Sequence, residues 1–422
     1  MKKNIKKRCV SAVLAIILVL SCLAMSSCMF FGTSDSYMTE EQVKQMMNNT
    51  MSGNVTVQGG DNYNITIDGV PQDNAAAGKS LLSAVSIKCV FKTVSYGGFY
   101  PSGKEKTAAG SGVIYKLDKE RGNAYIITNY HVVYYSQSAT ENGISNNISV
   151  YLYGQEHDNY AIPATYVGGS MEYDIAILKV SGSRVIAESN AVAATFADSE
   201  QVSVLDQAIA VGNPEALGIS ATFGYVNVDS EYIDMEGADG VTPISIRVMR
   251  IDTAVNSGNS GGGLFNNEGE IIGIVNAKLA SSENMSYAIP SNFVKYVAEN
   301  ILYYCDGKDN ESVMRCYLGI SVGASKLYTV YDTETGKVHK RETVVVAEVS
   351  STGIANGVLK PGDLIHSITI DGVTYEALRT YVVIEAMLNA RVGSAVSLKI
   401  TRDGSIIDVP IAVTQSAVTA IK

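Results

Sequence analysis

Between residues 82 and 289 the apolar residues come in short runs, at 86–91, 112–115, 125–128, 148–152, 208–212 and 271–275, parted by Gly, Asn, Asp and Ser. Runs this short, set off by turn formers, predict many short strands and hence a mainly β sandwich or barrel. The period then changes. Val294, Val297, Ala298, Ile301 and Leu302 share one face at helical spacing, with Ser291 as the expected N-cap. Strands return at 396–400 and 406–411, joined by an Arg402-Asp403-Gly404 turn. Upstream, Thr39-Glu40-Glu41-Gln42 has the capping-box form of a short helix, and 55–57 and 65–67 alternate about Gly59-Gly60-Asp61-Asn62 as a hairpin does.

The first residues do not follow any of these patterns. Lys2, Lys3, Lys6, Lys7 and Arg8 precede an apolar stretch from Val10 to Leu20, which reads as a secretory signal. Cysteines after small residues, Cys22 and Cys28, offer two lipid-attachment sites; Cys28, which follows the whole apolar run, is the preferred one. The catalytic part of the chain is therefore expected outside the cytoplasm, on the cell membrane through a lipid anchor or secreted. The formal charge is −10, and without the five leader cations it falls to about −15, which argues against a nucleic-acid partner. Past Cys28 only Cys89, Cys305 and Cys316 remain. That odd number excludes a complete disulfide framework, although Cys305 and Cys316 are close enough in sequence to pair. Neither CxxC nor HExxH occurs, so no metal site and no cofactor are expected.

Three polar positions stand out against this background. His131 follows the strand-like run 124–127, in a chain with only four histidines. Asp174 opens the run Ile175-Ala176-Ile177-Leu178-Lys179-Val180, and a carboxylate at the mouth of a core strand needs a donor, which an imidazole N–H supplies. Ser257 and Ser260 both sit beside glycine in Ser257-Gly258-Asn259-Ser260-Gly261-Gly262. A serine hydroxyl becomes nucleophilic at neutral pH when an imidazole takes its proton and a carboxylate orients that imidazole. Glycines let backbone N–H groups converge on a developing oxyanion. The oxyanion hole is placed at Gly258, Asn259 and Ser260, with the N–H groups of Gly258 and Ser260 as donors. His157, in a polar turn, reads as solvated.

Thr128-Asn129-Tyr130-His131-Val132, Asp174-Ile175-Ala176-Ile177-Leu178-Lys179-Val180 and Gly258-Asn259-Ser260-Gly261-Gly262 resemble, in this order, the three triad motifs of the HtrA/Deg family of trypsin-like serine proteases. The resemblance extends to the flanks at 250–254 and 271–275, and selects Ser260 as nucleophile with His131 as base and Asp174 as its partner. It implies a chymotrypsin-like double β-barrel at 81–306, with a specificity pocket lined by Ile274, Val275, Asn276 and Ala277. Gly263 stands where the family usually has proline, so the loop is expected to be more mobile. Tyr317-Leu318-Gly319-Ile320 and 359–365 resemble the carboxylate-binding loop and a following turn of the family's PDZ domain, an α+β unit expected at 312–416. Tyr317, Leu318, Gly319 and Ile320 would take the C-terminus of a peptide there. Residues 1–28 then form the signal or anchor region and 29–80 a spacer.

The resemblance implies an extracytoplasmic endopeptidase that cleaves unfolded or damaged proteins, with a PDZ domain that either recognises exposed C-termini or regulates the protease domain, and self-association as a homo-trimer is expected. The competing reading is a catalytically quiet scaffold or chaperone that holds peptides through the PDZ groove.

Overall fold

The computed structural model describes residues 55–58, 64–67, 70–71, 75–95, 102–214, 217–278 and 285–421. The leader, Cys22, Cys28 and the Thr39–Gln42 capping box lie outside them. The chain divides into two compact units, Met1–Asn74 and Ala75–Lys422. In the first, β1 (Val55–Gln58) pairs antiparallel with β2 (Asn64–Ile67), which pairs with β3 (Val70–Pro71). The hairpin lies where the alternation placed it.

In the second unit, β4 (Ala84–Ser95), β5 (Ser102–Asp118), β6 (Asn123–Thr128), β7 (Asn147–Leu152), β8 (Ile162–Ser170) and β9 (Ile175–Val180) close into one six-stranded barrel. A second barrel consists of β10 (Gln207–Gly212), β11 (Ser220–Glu236), β12 (Pro243–Ile251), β13 (Gly263–Phe265), β14 (Ile271–Lys278) and β15 (Ser286–Pro290). Closure leaves no free sheet edges. Alternation along each strand splits the apolar residues into two sets. Ile87, Ile114, Ile126 and Leu178 fill the first barrel, while Val113, Ile127 and Ile177 face outward and pack with Phe265, Ile274 and Ile289 of the second. Strands with both faces buried need near-continuous apolar sequence, as at 175–178.

The helix Ser291–Tyr304 buries Val294, Val297, Ala298 and Ile301 in the shared core. Each of the larger three contributes about 1.5–3 kcal/mol of burial. Ser291 is not its N-cap: Pro290 occupies that position, and the Ser291 hydroxyl donates instead to the Ala197 carbonyl at 2.7 Å. A proline has no side-chain acceptor, so the helix start is tied down by packing and by that cross-link.

A third, smaller domain has its own core from Cys316 to Val418. β16 (Val313–Cys316) pairs with the final β23 (Val418–Ile421), which lies beyond the boundary expected at 416. Between them β17 (Ile320–Tyr331), β18 (Val338–Val349), β19 (Leu364–Ile370), β21 (Ala395–Arg402) and β22 (Ser405–Ala412) form a sheet, with β20 (Val373–Glu376) paired to β19. β17 is an edge strand, and the helix Thr380–Ala386 packs near it. Asp403 and Gly404 both take positive φ in the expected turn between β21 and β22.

The third domain docks on the second barrel through buried charges. Glu385 on the helix accepts from Arg247 Nε at 2.5 Å and Nη2 at 2.6 Å, and the Tyr381 ring lies 3.8 Å from the guanidinium carbon. Asp229 of β11 accepts from Arg379 at 3.0 Å and Lys340 at 2.9 Å. Cys305 and Cys316 do not pair: both are free and buried, as is Cys89. Cys305 points into the core shared by the barrels and Cys316 into that of the third domain.

Candidate active site

His131, Asp174 and Ser260 line a single cavity of about 570 Å³. His131 sits on the short helix Tyr130–Val133 just after β6, and Asp174 on the turn before β9. Because β6 and β9 are paired, with Thr128 opposite Ala176, these two connections lie side by side. Asp174 takes φ 47°, a conformation that an aspartate tolerates better than most residues. The Asn129 amide holds its main-chain carbonyl at 2.8 Å.

The carboxylate grips the imidazole at two points. Asp174 Oδ2 lies 2.7 Å from His131 Nδ1, and Oδ1 accepts the His131 main-chain N–H at 3.0 Å. Nδ1 therefore carries the proton, which leaves Nε2 as the acceptor. Burial opposes a charge on the ring, but the Asp174 carboxylate outweighs it by charge and hydrogen bond, raising the His131 pKa above its usual value. Asp174 is only 3% exposed, so its field on the ring is weakly screened.

Ser260 follows a turn in which Gly258 takes φ 100°. The turn is clamped to the first barrel by Ser111, whose Oγ donates to the Gly258 carbonyl at 2.6 Å and whose N–H donates to the Ser260 carbonyl at 2.9 Å. With those carbonyls held, the N–H groups of Gly258 and Ser260 have no acceptor among the described residues. Asn259 does not share this arrangement: its N–H closes a turn to the Asn256 carbonyl at 3.0 Å and is unavailable to an oxyanion. The Ser260 hydroxyl donates to the Asn276 carbonyl at 3.0 Å rather than to His131.

The position at which the sequence departs from the family's proline lies at the start of a strand. Gly263 opens β13, paired with Val211 and Ile274, and a Cβ there would overlap the Phe265 ring and Ile271. The absence of a side chain makes room for an aromatic core residue, and the strand pairing fixes the backbone.

The specificity pocket also departs from expectation. Ile274 and Val275 are fully buried in two different cores, because alternate residues of β14 face opposite sides of the barrel wall. Of Ala277 only the pairing with Tyr287 is described. Asn276 lines the cavity, whose apolar walls include Met171, Met235, Ala238, Ile244 and Val255. No motif marks those five in the sequence, since they converge from separate turns and strands.

In the third domain, Tyr317, Leu318, Gly319 and Ile320 line a cavity of about 220 Å³ together with Ile384 and Met387 of the facing helical segment. The Tyr317 N–H is used by the Ala417 carbonyl, whereas those of Leu318 and Gly319 have no acceptor. Gly319 has φ 77°, and a Cβ on it would overlap the Gly353 backbone. His157 is exposed, as read from its turn. Among the described residues, no cluster of His, Cys, Asp or Glu is placed to hold a metal, and no helix is long and apolar enough to cross a membrane.

Comparison with known proteins adds to this geometry. Residues 110–274 match the family model of the trypsin-like peptidase domain. The serine protease Do-like HtrA of Lactococcus lactis subsp. cremoris is 33% identical over 284 residues, covering 64% of this chain and 63% of that protein. The periplasmic serine endoprotease DegP of Escherichia coli K12 is 31% identical over 319 residues, covering 74% and 58%. The chain thus spans less than two thirds of the length of these relatives. A solved structure of the HtrA-type protease AlgW with a decapeptide aligns at TM-score 0.49 and 24% identity, over 80% of this chain and 97% of that one. This chain carries a trypsin-like peptidase domain and is a homologue of the HtrA/DegP serine proteases.

Proposed function

We propose that the protein is a serine endopeptidase acting outside the cytoplasm on unfolded or damaged proteins. The observation that carries this reading is an imidazole held by a buried carboxylate in the same cavity as a serine flanked by two unengaged N–H groups. Ser260 Oγ attacks the scissile carbonyl and passes its proton to His131 Nε2, while the Nδ1 proton stays hydrogen-bonded to Asp174. The N–H groups of Gly258 and Ser260 receive the oxyanion. His131 then protonates the leaving amine, and a water repeats the sequence to release the acyl group. Ser260 must first rotate away from the Asn276 carbonyl. The apolar walls suit an apolar residue before the cut, a kind that folded proteins mostly bury.

Two unengaged N–H groups beside an edge strand support a PDZ-type site in the third domain that takes a peptide C-terminus. The leader supports export, with Cys28 as the lipid site, and self-association as a trimer is carried over from the family resemblance of the three motifs alone. Ser260→Ala should abolish cleavage of an unfolded protein and labelling by a fluorophosphonate, with unchanged thermal unfolding. The engaged Ser260 hydroxyl favours a second reading, a quiet peptide-holding scaffold. A wild-type protein that refuses the fluorophosphonate in the presence of substrate peptide would establish that reading instead.

A further inference from the structure

The two edges of the third domain's sheet are built differently. β22, at one edge, carries Asp408 and Pro410 within the strand. A proline has no N–H to offer and a charge resists burial, and both discourage a further strand from pairing there. β17, at the other edge, has no proline, and its 12 residues hold a single charge, Lys326. Among the described residues, the main chain of 320–331 is bonded to β18 and to nothing on its other side. This strand also outruns the sheet. β18 meets β19 at Val345, opposite Leu364. Before that point the pairs from Lys326–Thr343 to Tyr331–Val338 run without a register shift as a two-stranded ribbon. Such a ribbon is marginal by itself. It is braced through β18: the Glu342 N–H donates to the Leu378 carbonyl at 2.8 Å, Lys337 donates to Asp206 at 2.6 Å, and Ser203 Oγ lies 3.3 Å from His339 Nδ1. On β17 itself Leu327 is 74% and Tyr331 63% exposed. Apolar side chains along an unblocked edge make a template for another extended chain.

We propose that this ribbon edge holds the body of the ligand whose C-terminus the third domain takes: about ten residues preceding the carboxylate add to β17 as an antiparallel strand reaching Tyr331. This rests on the PDZ-type reading and deepens it, naming the partner as a long, extended, unfolded tail rather than a short terminal motif. Continuity supports that occupant. β17 starts at Ile320, directly after the unengaged N–H groups of Leu318 and Gly319, so a chain anchored there and running antiparallel passes onto the ribbon. The cavity at the loop involves only the first residue of β17, whereas the whole edge is about 40 Å long at about 3.3 Å per residue. Charge narrows the class further. Lys326 lies 5.5 Å from the Tyr328 ring, Arg341 stands opposite Tyr328 and donates to the Lys340 carbonyl, and neither forms an ion pair among the described residues. Acidic side chains on the tail, about six to eight residues before its end, would meet these two cations.

The test uses the full chain carrying Ser260→Ala, so that no peptide is cut, and reads fluorescence anisotropy with two labelled peptides. One has about four residues; the other has about ten, ends in the same residues and bears aspartates upstream. The long peptide should bind at least about tenfold more tightly. Methylating its backbone nitrogens one at a time should weaken binding at every second position, because alternate N–H groups of an added strand face β17. Adding Lys326→Glu should weaken the long acidic peptide about three- to fivefold, leave the short one unchanged, and favour a long peptide with lysines in place of the aspartates. Equal affinity for the two lengths, or methylation losses without a period of two, would overturn the proposal and leave the ribbon as a brace between domains. Binding of the long peptide that keeps that period but ignores C-terminal amidation would reject the carboxylate-binding reading and keep the edge. Failure of both peptides to bind would remove both.

Discussion

Replacing Glu385 by leucine should strand a charge at the joint between the second barrel and the third domain. Arg247 is 3% exposed, and both bonds of its fork go to Glu385, at 2.5 and 2.6 Å. Removing one member of such a pair costs about 3–5 kcal/mol, because the other keeps its desolvation penalty without its partner. Glu200, 4.0 Å from Nη2, and the Tyr381 ring offer partial compensation, which points to the lower end of that range. The compact unit Ala75–Lys422 holds roughly 350 residues, and an unfolding entropy of about 2.1 cal/mol/K per residue makes 3 kcal/mol equivalent to about 4 °C in Tm for cooperative unfolding. Differential scanning calorimetry of Glu385→Leu, Arg247→Met and the double variant reads this directly. The double variant should regain most of the loss, since two apolar side chains leave no buried charge. The reasoning fails if Glu385→Leu melts within about 1 °C of wild type, or if the double variant is as damaged as the two single ones combined.

Hydrolysis should weaken as pH falls through the His131 pKa, which the Asp174 carboxylate raises above the ordinary imidazole value, because only the neutral ring accepts the Ser260 proton. The stability increment has the opposite sign: with the folded pKa raised, it is full below the unfolded pKa and is lost as pH rises through the folded one. A pH–rate profile beside a pH–Tm profile checks both, and an acidic limb at or below the ordinary histidine value would contradict the pairing with Asp174. Gly319→Ala should weaken binding of a peptide with a free C-terminal carboxylate at least about tenfold, since a Cβ at φ 77° forces the loop off Gly353. Fluorescence anisotropy measures it, with the C-terminally amidated peptide, bound weakly by both proteins, as the control.

The sequence made the barrels legible because a strand with two buried faces leaves a dense apolar run, and the triad because each member sits in a local motif at a strand end. What it hid depends on pairing between distant segments. Ser111 clamps the nucleophile turn from 147 positions away, and the Arg247–Glu385 fork spans 138. Nothing adjacent to any of these residues announces the contact. Ile274 and Val275 are buried rather than lining the pocket because adjacent residues of a strand face opposite sides of the barrel wall, and the cores they meet are built by distant strands. The steric role of Gly263 is hidden for a related reason: the ring that needs its empty space belongs to Phe265, on the same face of the strand two residues on. Nearness in sequence likewise suggested pairing Cys305 with Cys316, although the chain between them passes from one core to another.

Those thiols have a practical consequence. Cys89 lies inside the first barrel, Cys305 where the barrels meet and Cys316 in the core of the third domain, so each of three hydrophobic interiors carries its own thiol. Burial pushes their pKa values up to about 12, 12 and 11, and thiolate is the form that alkylating reagents attack. In the native molecule all three are silent toward such reagents, and each becomes reactive when its own surroundings loosen. Pulse alkylation followed by peptide mapping would therefore time the opening of every interior separately, with no label engineered into the chain.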